Sequence, residues 1–106
     1  MSGQGGVAHA VRLSPLAIED LIALGRWVAL KADRKTADAY LDRVEAAIGK
    51  LARYPGRGSP RDDLAPGLRT FSFERRLLIA YRIEEGEAAL DVLRVIDGGR
   101  DLARLV

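Results

Sequence analysis

The spacing of apolar residues switches sharply in the middle of this chain, and that switch limits what it can fold into. Between Ser14 and Ala52 apolar side chains return about every 3.6 positions, and between Leu68 and Ile96 they return at every second position. The first spacing is that of a helix with one buried stripe, the second that of a strand with one buried face. From Ser14 onward, helices therefore come first and strands after. The text between them, PGRGSPRDDLAPG from Pro55 to Gly67, is a Gly- and Pro-rich loop that carries Arg57 and Arg61.

Local signals place the individual elements. Residues 1–6 read as a flexible N-terminus and residues 7–106 as one domain. Val7 to Leu13 alternates and predicts a first strand, with His9 on the alternating face as a packed or half-exposed residue. Ser14-Pro15 opens a helix: the hydroxyl can cap free amides, and Pro tolerates the first helical position because its missing N–H would be unpaired there. Its stripe reads Ile18, Leu21, Ile22, Gly25, Val28 and Ala29, with Leu24 and Trp27 toward the flank. Asp33, or alternatively Thr36, caps a second helix with Ala37, Tyr40, Leu41, Val44, Ile48, Leu51 and Ala52 on its stripe; Tyr54-Pro55-Gly56 ends it.

Three strands follow, Leu68–Phe73, Leu77–Glu84 and Ala88–Ile96, joined by Glu74-Arg75-Arg76 and Glu85-Gly86-Glu87. In the last, Leu90, Val92 and Arg94 are set against Leu93 and Val95. The expected fold class is α+β in the order β-α-α-β-β-β, a helical hairpin packed on a largely antiparallel, twisted four-stranded sheet.

Composition narrows the function classes. No cysteine is present, which excludes a disulfide scaffold, a thiolate metal site and a thiol nucleophile, and His9 is the one histidine. The acidic pairs Glu19-Asp20 and Asp62-Asp63 are adjacent in sequence and suit dipole and solvation roles better than metal binding. No phosphate loop, metal site or cofactor is expected. No apolar run reaches the roughly 18–20 residues of a membrane span, and MSGQGGVAHA lacks the basic start and apolar core of a signal peptide, so a cytoplasmic protein is expected. The 17 basic residues divide into 14 Arg and 3 Lys. Arg presents a planar fork of donors suited to carboxylates and phosphates, so either an acidic partner or plain codon preference accounts for the excess. The densest basic stretch is Lys50, Arg53, Arg57 and Arg61.

The C-terminal third, GLRTFSFERRLLIAYRIEEGEAALDVLRVIDGGRDL, resembles the RelE/ParE superfamily of bacterial toxins, its ParE branch most closely. The shared features are Gly67 and Arg69 entering the first meander strand, the Tyr81-Arg82 pair, Leu93-Arg94-Val95-Ile96, and the Gly99-Arg100-Asp101 exit. Upstream, Ser14 to Leu21 and Ala37 to Val44 agree. The resemblance implies the toxin of a type II toxin–antitoxin module, neutralised by a ParD-like antitoxin that binds operator DNA, so that the toxin meets DNA only indirectly. The ParE branch implies inhibition of DNA gyrase by binding; the RelE branch implies ribosome-dependent mRNA cleavage, with Arg82, Arg94 and Arg100 as the catalytic set. A non-toxic binding module is the third alternative.

The terminal Tyr of the nuclease is absent here, Leu78 stands where that branch carries a basic residue, and residues 67–106 hold 7 Arg against 7 acids. These departures favour ParE. Arg94, Arg100 and Arg104 are then the gyrase-facing candidates. Leu24, Trp27, Tyr40, Arg53, Arg57 and Arg61 are the antitoxin-binding candidates, for a helix laid beside the hairpin and an extended segment added to a sheet edge.

Overall fold

The computed structural model describes residues 9–97. Its elements are β1 (Ala10–Leu13), α1 (Pro15–Lys31), α2 (Arg34–Arg53), β2 (Ser59–Pro60), β3 (Leu68–Phe73), β4 (Leu77–Glu84) and β5 (Ala89–Asp97). They form two helices packed on one sheet of order β1-β5-β4-β3-β2, in which β1 runs parallel to β5 and every other pair is antiparallel. Among the described residues no helix is long and apolar enough to cross a membrane.

Both helix starts use the caps that the sequence offers. The Ser14 hydroxyl accepts the Ala17 N–H at 3.0 Å, and the Asp33 carboxylate accepts the Thr36 N–H at 2.7 Å. The face of α1 differs from expectation. Ala17 and Leu24 are buried and Leu21 and Val28 pack beside them, whereas Ile18 and Ile22 are 44% and 50% exposed. The period gives the spacing of a stripe; its phase is ambiguous in a helix with apolar residues on adjoining faces, and packing against the sheet decides it.

The sheet has five strands instead of four. The added β2 aligns Ser59 and Pro60 with Thr70 and Arg69, and the Arg61 N–H donates to the Leu68 carbonyl at 2.7 Å. Two residues carry no alternation, so only the tertiary pairing reveals them. Tyr81, fully buried, holds the preceding loop: its hydroxyl donates to the Pro55 carbonyl at 2.5 Å and accepts the Gly58 N–H at 2.9 Å. Arg69 adds donors to the Gly56 and Gly58 carbonyls at 3.0 and 2.6 Å.

A bulge in β5 corrects the expected facing of that strand. Ala80 aligns with Arg94 but Tyr81 with Val92, so Leu93 is an extra residue. Before it Leu90 and Val92 enter the core under the helices; after it Val95 does so and Arg94 leaves that face. The core joins these to Leu77, Ile79 and Tyr81 of β4 and to Val44, Ile48 and Leu51 of α2.

Candidate protein-binding site

β1 is an edge strand, and its alternation decides what the edge offers. The Ala10 N–H donates to the Ala88 carbonyl and the Ser14 N–H to the Val92 carbonyl, at 2.8 and 3.0 Å. The residues between them, Val11 and Leu13, therefore turn their N–H and C=O groups away from β5, toward the free edge. Their side chains lie opposite Leu90 and Val92, on the helix side of the sheet, yet remain 42% and 39% exposed. They form one wall of an apolar groove of about 450 Å³ whose other wall is Leu21, Leu41, Val44 and Ile48, with Glu45 at the rim. Exposed Ile18 and Ile22 of α1 flank Leu21 along the helix. Free backbone donors and acceptors beside an apolar groove can take an extended segment or an amphipathic helix.

The residues expected from sequence fall into separate places. Leu24 is a core residue, 6% exposed, which corrects its expected role as a surface anchor; Tyr40, 8% exposed, packs in the core as well but also borders a cleft beside Trp27. Trp27 is 42% exposed, at the far end of the helical hairpin from Arg53. Arg53 sits in the last turn of α2, where its charge complements the helix C-terminus. Arg57 lies over the Phe71 ring at 5.7 Å, and Arg61 forms a fork to Asp63 with both bonds at 2.9 Å. The Arg61 pair lowers the Asp63 pKa from its ordinary value through that hydrogen bond. The basic stretch is thus partly consumed by contacts within the chain.

Arg94 is tied down. Its guanidinium donates twice to Asp20, at 2.8 and 3.0 Å, and the same carboxylate accepts the Val95 N–H at 2.9 Å. That hydrogen bonding raises the Arg94 pKa further above its ordinary value. Arg82 aligns with Asp91 across the sheet, and Asp91 is held by Arg12, which also pairs with Glu87. Arg100 and Arg104 lie outside the described residues. His9 is half-buried, as expected, with its Nε2 3.3 Å from Glu85. Among the described residues no group of three or more His, Cys, Asp or Glu side chains is placed to hold a metal ion.

Sequence reading missed Val11 and Leu13 as binding residues because alternation alone marks a strand and not its place at a sheet edge. It also missed Asp20, whose only signal was its position in the opening turns of α1.

Comparison with known proteins gives these surfaces a context. Residues 11–102 match the family described as the ParE toxin of the type II toxin–antitoxin system parDE. Toxin ParE3 of Caulobacter vibrioides is 36% identical over 97 residues, covering 92% of this chain and 93% of that toxin. Among solved structures, a chain of the chromosomal ParDE system from P. aeruginosa superposes with a TM-score of 0.73 at 20% identity, covering 85% of this chain and 96% of its own; that likeness is one of fold. A chain of the RelBE2 toxin–antitoxin complex from Mycobacterium tuberculosis gives 0.62 at 27% identity, covering 87% and 93%.

Proposed function

The chain belongs to the ParE family of type II toxin–antitoxin toxins, and we propose that it arrests growth by binding DNA gyrase until a ParD-like antitoxin covers it. The observation that carries inhibition by binding is the Arg94–Asp20 fork. An arginine that stabilises a phosphoryl transition state must aim its donors at the developing charge; Arg94 commits its Nε donor and one Nη2 donor, two of its five, to a carboxylate of its own chain, which fixes the direction of the guanidinium. The remaining nuclease candidates are Arg82, beside Asp91, and Arg100 in the C-terminal segment.

The β1 groove is the site we assign to the antitoxin. Two outward-facing backbone residues and about 450 Å³ of apolar space suit a segment that pairs along Val11–Leu13 and drops alternate side chains toward Leu21 and Leu41. Gyrase contact falls to Arg100 and Arg104 of the C-terminal segment, since Arg94 is occupied.

Two assays run side by side test the target. The purified chain is expected to inhibit gyrase supercoiling and to trap cleaved DNA, while leaving mRNA intact on programmed ribosomes. Cut mRNA with unaffected supercoiling would overturn the reading in favour of a ribosome-dependent nuclease. Neither effect, together with no growth arrest on induced expression, would leave a toxin-like binding module.

A further inference from the structure

A second cleft lies at the opposite end of the helical hairpin. It encloses about 360 Å³ between the α1–α2 turn and the β3–β4 turn, and Trp27, Lys31, Tyr40, Arg43, Glu74 and Arg76 line it. Three observations make it more than a gap in the surface.

The first is the β3–β4 turn itself. Glu74 and Arg75 both adopt the left-handed backbone, at φ 50° and 59°, and neither is glycine. Positive φ at both central residues is the type I′ pattern, and the Arg76 N–H closes the turn on the Phe73 carbonyl at 3.0 Å within a three-residue connection from Phe73 to Leu77. Arg43 of α2 holds the strained turn with a fork to Glu74, at 3.0 and 3.2 Å.

The second is what the turn presents. Arg76 is carried over the Trp27 ring, 4.4 Å from its centroid, and bonds Asp97 at 3.1 Å. Trp27 is nonetheless 42% exposed. An indole fixed in place by a guanidinium and still open on the cleft is a rigid, amphipathic contact surface.

The third is the Tyr40 hydroxyl. Tyr40 is more than nine-tenths buried and its side chain borders the cleft; its hydroxyl, itself closed off from solvent, has no hydrogen-bond partner, so a ligand's acceptor reaches it only as the cleft wall yields. Burial pushes the phenol pKa up, so it is a protonated donor at neutral pH. A buried donor left without an acceptor is costly and rare, and an acceptor brought by a ligand removes the cost.

We propose that this cleft is a binding site for a partner protein's carboxylate side chain flanked by an apolar one, with Tyr40 and Lys31 as donors and Trp27 as the apolar wall. The charge balance selects that chemistry. Arg43 and Arg76 already face Glu74 and Asp97, which leaves Lys31 as the cation of the lining with no acidic partner among the described residues. One net positive charge suits one carboxylate; a phosphate dianion or a nucleic-acid backbone would meet the facing carboxylates. The proposal does not depend on what fills the β1 groove.

Trp27 is the only tryptophan of the chain, so its emission reports on this cleft alone. The full chain is titrated with a capped peptide alternating leucine and glutamate, the same peptide with glutamine, inorganic phosphate, and a single-stranded oligonucleotide. A saturable change is expected with the glutamate peptide only. Tyr40→Phe and Lys31→Ala should each weaken it by about tenfold, the loss of one charge-assisted hydrogen bond. Val11→Asp, in the other groove, should leave it unchanged. Tyr40→Phe removes an unpartnered hydroxyl, so its thermal midpoint should hold or rise, separating lost binding from lost folding. Equal binding by the glutamine peptide, a matching response to phosphate or oligonucleotide, unchanged affinity in both variants, or loss with Val11→Asp would each overturn the proposal.

Discussion

Asp20 gathers three hydrogen bonds on one carboxylate, two from Arg94 and one from the Val95 N–H. The two partners are not equivalent to mutation. Arg94→Ala leaves Asp20 still accepting a backbone donor, and about 1 kcal/mol of stability is expected to go. Asp20→Ala strands a half-buried guanidinium and an edge N–H together, and about 2–3 kcal/mol is expected. Urea midpoints of the two variants should fall in that order; the reverse order would mean that the arginine acts chiefly through something other than Asp20. Tyr81 makes the same kind of argument inside the core. Tyr81→Phe deprives the Pro55 carbonyl and the Gly58 N–H of partners, at a cost of about 2 kcal/mol. Gly58→Ala should be worse, since a Cβ there would collide with the Tyr81 hydroxyl and lie 2.8 Å from the Thr70 carbonyl oxygen. Both are read by thermal unfolding. Tyr81 and Arg82 stood out in the sequence as a motif, but nothing in two adjacent letters shows that the first one pins a loop 23 residues upstream.

At the scale of elements, caps were legible and phases were not. Ser14 and Asp33 cap α1 and α2 where polar residues precede apolar periods. The Thr36 N–H holds the Asp33 carboxyl below the usual aspartate range. A depressed folded-state value stabilises the helix above the unfolded value and is lost as pH falls through the folded one. The wild-type helix signal should therefore weaken on acidification below roughly pH 4, and an Asp33→Ala variant should lack that part of the transition while being less stable at pH 7. Circular dichroism against pH distinguishes the two. The facing of α1 and the flip after Leu93 were beyond local reading. Each depends on how an element meets its neighbour: α1 on β5, and β5 on β4 across an inserted residue.

Across the whole molecule, the arginine excess has a different use from the one composition suggested. Arg12, Arg43, Arg61, Arg76 and Arg94 all pair with carboxylates of the same chain. Part of that basic character is offset by pairing within the chain, and 17 basic against 15 acidic residues leave a formal charge of only +2. A surface so balanced favours recognition by shape and apolar contact over attraction to a polyanion. The β1 groove, an apolar space of about 450 Å³, is such a feature. Val11→Asp keeps a half-exposed side chain exposed, so folding should survive while a charge enters the groove. Cells that carry this variant with the cognate antitoxin should stop growing, although the wild-type pair grows normally. Continued growth, with the antitoxin still copurifying, would place the antitoxin elsewhere.

The chain's own text determined the order of helices and strands, the caps, the turns between β3, β4 and β5, and the kinship of residues 11–102. These rest on interactions a few residues long or on patterns shared with relatives. Tertiary structure alone decided that β1 lies parallel to β5 at an edge, that a two-residue β2 exists, which face of α1 is buried, and that Tyr40 and Trp27 meet the β3–β4 turn. The physical reason is the same in each case. Periodicity states which residues share a face; which face is covered, and by what, depends on partners brought together from distant parts of the chain.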